Sequence, residues 1–179
     1  MATREIRLSV AEERTIYYVA DVDRAMEESA GARNEALAAL YEKMRLRGGW
    51  RFLVRPSGAD TLDGLYDTCP NFVAVIDELR KYVALGVAGN EPMSFTTILL
   101  LGEPGVGKTH FAKELARALG TGHEFISMSS LTAGWILSGA SSQWNNAKPG
   151  KVAHTLVHGE FANPIVVLDE VDKAGGDSR

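Results

Sequence analysis

The stretch Gly102-Glu103-Pro104-Gly105-Val106-Gly107-Lys108-Thr109 has the residue types and the spacing to hold a chain of phosphates. Its glycines permit backbone dihedrals and close approaches that a Cβ would block, so N–H groups can curl around phosphate oxygens. Lys108 offers a compact cation for the β- and γ-phosphates. The Thr109 hydroxyl is the expected ligand of a magnesium ion that keeps most of its waters. His110 follows directly and either lies near the nucleotide or packs beside the loop.

A second set of residues complements the first. Ile165-Val166-Val167-Leu168-Asp169-Glu170 is an apolar run that ends in two carboxylates. Asp169 is suited to ordering the magnesium shell, and Glu170 to orienting or deprotonating an attacking water. Together the two sets imply ATP and Mg2+ as ligands and hydrolysis of a phosphoanhydride bond as the chemistry.

These groups need elements to position them. The apolar run Thr96 to Leu101 predicts a buried parallel strand before the glycine-rich turn. Phe111, Ala112, Leu115, Ala116 and Leu119 have helical spacing after it, and Gly120 marks the C-terminal stop. Further on come a strand over Glu124 to Met128, a polar passage to Gly150, a helix over Lys151 to His158 and the carboxylate strand. Alternating strands and helices of this kind predict an α/β fold, a doubly wound parallel sheet of the P-loop NTPase type with nucleotide at the carboxyl ends of its strands.

The first part of the chain has a different character. Asp21 to Arg47 reads mainly as helix, interrupted near Gly31 and stopped by Gly48-Gly49, with Leu37, Leu40, Tyr41 and Met44 on one face. Trp50 to Val54 alternates like a short strand, and its aromatics, Trp50 and Phe52, are expected in the core. Pro56 to Asp60 reads as a linker. A helix over Asn71 to Leu85 carries a stripe of Phe72, Val75, Ile76, Leu79 and Val83, and a loop from Gly86 to Ser94 follows. The expected division is a mainly helical appendage over residues 1–60 and a nucleotide-binding core over 61–179.

Bulk properties narrow the function. The chain has 179 residues, 45% hydrophobic and 23% charged, with a formal net charge of −4. That acidity gives no support to nucleic-acid or anionic-membrane binding, and no apolar run is long enough to span a bilayer. Cys69 is the only cysteine, which excludes an internal disulfide and suits an inert thiol in a reducing cytoplasm. His154 and His158 have a spacing that suits zinc, but no glutamate follows the first as a metalloprotease would require. They read as polar residues on a solvated helix face. Trp135 lies beside Ile136 and Leu137, so burial is expected for it.

The pair of nucleotide motifs, with Asp169-Glu170-Val171-Asp172-Lys173 at the second, resembles the AAA+ ATPases and, among them, the ATPase module of Lon-type proteases. The resemblance runs from about Phe95 to Arg179 and includes Gln143-Trp144-Asn145-Asn146-Ala147-Lys148-Pro149-Gly150-Lys151. It implies a homo-oligomer, a hexamer, whose central pore grips unfolded polypeptide as protein substrate. Trp144 falls on the aromatic pore-loop position. Asn145 stands where the family has an aliphatic residue, a departure from the threading pattern. Leu62 to Leu85 occupies the place of the segment that packs on adenine.

The resemblance also implies that the AAA+ core is incomplete here and that the sequence is a piece of a longer product. The first sensor, the arginine finger and the helical lid of the family all lie beyond the second motif. A finger in trans is worth about 10³–10⁵ in rate, so this chain is expected to bind nucleotide and hydrolyse it slowly. Two other readings stay open: a non-catalytic nucleotide sensor or scaffold, and a small-molecule kinase, although Asp169-Glu170 favours water as the acceptor. A guanine reader of the Asn-Lys-x-Asp type is missing, which excludes a GTPase.

Overall fold

A computed structural model of the chain describes residues 10–29, 34–92, 94–129, 137, 139 and 149–173. Its chain order is β1 (Val10–Thr15), α1 (Val19–Ser29), α2 (Glu35–Arg47), β2 (Trp50–Arg55), α3 (Gly64–Thr68), α4 (Val73–Gly89), α5 (Lys108–Leu119), β3 (His123–Ser127), α6 (Lys151–His158) and β4 (Ile165–Asp169). Short 3₁₀ turns lie at 59–62, 70–72 and 171–173. The strands pair as β1 with β2 and β3 with β4. The described residues fall into two compact units: 10–12 with 53–123, and 13–52 with 124–173.

The first unit is built on α3, α4 and α5. Pro70 fixes φ at the turn before α4, a position that loses nothing from a missing N–H. Ile76, Leu79 and Val83 then fall on one helical face and are fully buried. α5 buries Phe111, Ala112, Leu115, Ala116 and Leu119 at the predicted spacing, and Leu62 and Leu65 are buried in the same unit. α4 runs past the predicted loop start at Gly86, as far as Gly89, before Asn90 turns left-handed at φ 50°.

The second unit packs α1 on α2 and α2 on α6. Asn34 caps α2 by accepting from the Leu37 N–H (3.1 Å), and Arg45 and Arg47 complement the helix dipole at the other end. The predicted interruption at Gly31 lies outside the described residues; α1 ends at Ser29 and α2 begins at Glu35. Met128 N–H donates to the Asp169 carbonyl (2.8 Å), just past β3 and at the end of β4. Their C-terminal ends are therefore neighbours, and the two strands run parallel. Ile126 and Met128 form a small core with Leu137 and Val166. Gly150 starts α6 where a Cβ would lie 2.0 Å from the Leu137 carbonyl oxygen, so only glycine fits that approach.

Two expectations are corrected. Thr96 to Leu101 forms no strand, and Leu99 and Leu101 are 70% and 84% exposed. An apolar run becomes a strand only where a neighbouring backbone offers N–H and C=O groups, and no described strand pairs with this one. Trp50 and Phe52 are not core: they stand edge-to-face at 47% and 37% exposure, while Arg51 between them is only 2% exposed. β2 does alternate, but its inner face takes Arg51 and Leu53.

Arg51 explains that choice of face. Its Nε donates to the Leu156 carbonyl (2.8 Å) and its Nη2 to that of Val157 (2.7 Å), at the C-terminal end of α6. Nη1 donates to Gly48 (2.9 Å) and Trp50 (2.5 Å). The guanidinium satisfies helix-end carbonyls that would otherwise be orphaned, and its charge sits at the negative end of the α6 dipole. Arg51→Ala is expected to lower stability by about 2–3 kcal/mol, with Arg51→Lys recovering less than half because an ammonium cannot fork across these carbonyls. Urea unfolding midpoints of both variants decide this; a shift within error for Arg51→Ala contradicts it.

The α6 histidines add a pH dependence. His154 and His158 stack with ring centroids 3.8 Å apart and planes 11° from parallel. Burial, followed by the like charge of His154 and of Lys43 and Arg47 on α2, holds His158 below its ordinary value of 6.5. The folded state therefore disfavours the imidazolium. Stability from the neutral ring is present above pH 6.5 and is lost as pH falls through the depressed folded value. Thermal midpoints measured from about pH 7.5 down to about pH 5 should fall less in His158→Gln than in the parent chain. An identical fall in both removes His158 from the effect.

Candidate functional site

The predicted residues fall into two groups, the phosphate loop in the first unit and the carboxylates in the second. Gly105 and Gly107 adopt φ +86° and +97°, the left-handed region that a Cβ disfavours. The space beside Gly105 is open, with no heavy atom within 4 Å of where a Cβ would stand. The loop delivers the chain into α5 at Lys108 with no capping side chain. The first N–H groups of α5 thus have neither an intrahelical acceptor nor a side-chain acceptor, and they carry the positive end of the helix dipole. Such a terminus accepts an anion.

Lys108 folds back over this turn. Its ammonium donates to the carbonyl oxygens of Gly102 (2.8 Å) and Glu103 (3.0 Å). That places a cation on the loop, on acceptors that a phosphate oxygen can replace. Thr109 and His110 are exposed in the first turn of α5, and Glu103 and Pro104 are exposed on the loop.

Sequence patterning missed the support behind the loop. Asn71 Nδ2 donates to the Val106 carbonyl (3.3 Å), and the Phe72 ring stacks on Phe111 at 4.5 Å between centroids. Phe72 was legible as an apolar stripe residue, whereas nothing in the pattern marks Asn71.

The second group sits at the C-terminal end of β4. Asp169 is exposed, and one of its carboxylate oxygens accepts the Glu170 N–H (2.9 Å). Glu170 has φ +56°, unusual for a residue with a side chain. Strain of this kind costs of order 1–3 kcal/mol and persists only where surrounding contacts enforce it. Here the Lys173 N–H donates to the Glu170 carbonyl (2.9 Å), Lys173 Nζ pairs with the Glu170 carboxylate, and Ser127 Oγ donates to that carboxylate (3.1 Å). Lys173 foremost, then Ser127, hold the Glu170 carboxyl below the ordinary carboxylate value, which keeps it ionised at neutral pH. Ser127, at the end of β3, is a further partner that the sequence did not single out.

Trp144 and Asn145 lie outside the described residues, as does Trp135. His154 is exposed and His158 half-buried, and among the described residues no group of three or more potential metal ligands converges. No helix among the described residues is long and apolar enough to cross a membrane. Cys69 is buried.

Comparison with known proteins fits this arrangement. The model of the ATPase family associated with various cellular activities (AAA) matches residues 98–179, from the run before the phosphate loop through both motifs. Residues 98–179 are an AAA-family ATPase segment. This AAA+ segment resembles that of Lon proteases. A Lon protease of Magnetococcus marinus is 34% identical over 113 residues, covering 63% of this chain and 13% of that protein. The peroxisomal Lon protease homolog 2 of Pichia angusta is 40% identical over 82 residues, covering 46% of this chain and 9% of that protein. The Lon protease 2 of Hydrogenovibrio crunogenus is 34% identical over 113 residues, which is 12% of its length. The chain thus spans a small part of the curated relatives it matches. The AAA+ family has the α/β P-loop NTPase fold, and β3 and β4 are the parallel strands of its sheet among the described residues.

Proposed function

We propose that this AAA+ chain binds ATP with magnesium and hydrolyses it to remodel or unfold protein substrates, as part of a Lon-like cytoplasmic homo-oligomer, a hexamer. One observation carries the nucleotide part of this reading: the uncapped start of α5 behind left-handed glycines, with the Lys108 ammonium lying on the same turn. That is a cationic cradle of N–H groups beside open space, and it fits a polyphosphate better than any neutral ligand.

The roles follow from the chemistry of each group. The loop from Gly102 to Gly107, Pro104 excepted, offers backbone N–H groups to the phosphates, and Lys108 neutralises β- and γ-oxygens. Thr109 and Asp169 offer hard oxygen donors, through which a bound magnesium ion supplies further charge neutralisation. Glu170, ionised at neutral pH, accepts the proton of a water as its oxygen bonds to the γ-phosphorus. The bond from that phosphorus to the bridging oxygen breaks, and ADP leaves with the electron pair. Trp144 and Asn145 are assigned to the polypeptide-gripping loop, and residues 61–179 to the ATPase core, preceded by a segment at 1–60.

A non-catalytic sensor is the second reading, favoured by the Lys173 and Ser127 contacts that occupy the Glu170 carboxylate. Gel filtration with and without ATP, paired with phosphate release, separates the two, since a remodeller assembles and hydrolyses whereas a sensor binds and stays monomeric. Lys108→Ala removes charge-assisted contacts worth about 1.5–3 kcal/mol, so Mg-ATP affinity should fall roughly ten- to two-hundredfold by calorimetric titration. Unchanged affinity rules out the loop assignment. Glu170→Gln should bind Mg-ATP like the parent and release phosphate ~10²–10⁴ times more slowly. Full turnover in that variant would take the base role away from Glu170.

A further inference from the structure

The phosphate loop is held from outside its own motif. The 3₁₀ turn Pro70–Phe72 bonds to the Val106 carbonyl, stacks on the first turn of α5 and lies beside Gly107 between them. Asn71 Nδ2 donates to the carbonyl. Phe72 Cε2 lies 3.8 Å from where a Cβ of Gly107 would stand, and its ring lies nearly parallel to that of Phe111, 10° between planes. Phe72 is buried and immediately precedes α4, whose inner face is fully buried, so the turn is fixed to the core of its unit.

The consequence comes from the planarity of the peptide bond. The Val106 carbonyl and the Gly107 N–H belong to one trans peptide unit and point in opposite directions. A carbonyl fixed on Asn71 therefore aims the Gly107 N–H away from Asn71. The Gly107 carbonyl is committed as well, since it accepts the Phe111 N–H (2.8 Å) as the first bond of α5. With both flanking carbonyls tied down, the orientation of the donors at the head of α5 is set before any ligand arrives. Glycines at positive φ would otherwise leave this peptide free to flip.

We propose that Asn71 and Phe72 are positioning residues for the phosphate grip: they pre-orient the Val106–Gly107 peptide, so that binding a polyphosphate costs little reorganisation. This rests on the reading that residues 102–109 hold phosphates. Asn71 is exposed, and its loss leaves no buried cavity, so its variants retain the fold.

The test uses the whole chain and displacement of a fluorescent ATP analogue, first by Mg-ATP and then by inorganic magnesium tripolyphosphate. Asn71→Ala removes one hydrogen bond and should weaken both competitors by the same factor, about two- to tenfold, with the thermal midpoint unchanged. Asn71→Asp should be weaker again, because a carboxylate oxygen then faces the Val106 carbonyl oxygen and adds negative charge near the phosphates. Parental affinity in Asn71→Ala overturns the proposal, even if Asn71→Asp is impaired, since charge alone would then explain the loss. A loss confined to Mg-ATP, with tripolyphosphate unaffected, also overturns it, because Asn71 would then act on the base or ribose. If the unaltered chain binds neither competitor, the phosphate-loop reading itself falls and takes this inference with it.

Discussion

The head of α5 places the strictest demand on this molecule. Like α4 and α6 it begins without a capping side chain, but only here among the described residues do left-handed glycines and a lysine ammonium surround the first N–H groups, which water or an anion can complete. Everything around that end serves to maintain it. Left-handed glycines bring the chain in at an angle no other residue adopts cheaply, and the buried face of α5 locks the helix against α3 and the turn before it. The Lys108 side chain is drawn onto the loop by carbonyl dipoles.

The same economy of orphaned backbone groups governs the second unit, with the sign reversed. There the carbonyls at the C-terminal end of α6 need donors, and the Arg51 guanidinium reaches them from β2. A buried cation is unfavourable unless its surroundings supply compensating negative potential, and helix-end carbonyls do so. One residue thereby ties β2 to the helix that leads toward β4 and its two carboxylates. At the end of β4, strain at Glu170 is maintained by a short cage of contacts from Asp169, Lys173 and Ser127. Both units thus use backbone polarity, rather than apolar packing alone, to fix the residues assigned to chemistry.

Much of this was legible in the sequence because it is local. The glycine-rich turn, the spacing of Phe111 to Leu119 and the carboxylates after Val167 and Leu168 are each specified within a few residues, and α5, β3, α6 and β4 formed where the pattern placed them. The stripe of Ile76, Leu79 and Val83 was equally visible. Asn71 and Ser127 were not, because each acts through a partner distant in sequence: Val106 for Asn71, and Glu170 for Ser127.

The sequence by itself determined the longer helical segments, though not the short α3, and where phosphate chemistry is possible and which residue types would carry it. These depend on short-range sterics and on the period of apolar side chains. Tertiary structure decided which face of β2 turns inward. Alternation defines two faces without ranking them, and the carbonyls of α6 drew Arg51 inside while Trp50 and Phe52 stayed out. It also decided that Thr96 to Leu101, apolar as they are, run unpaired among the described residues. A strand is a relation between two backbones, and only one of the two is written in any single stretch of sequence.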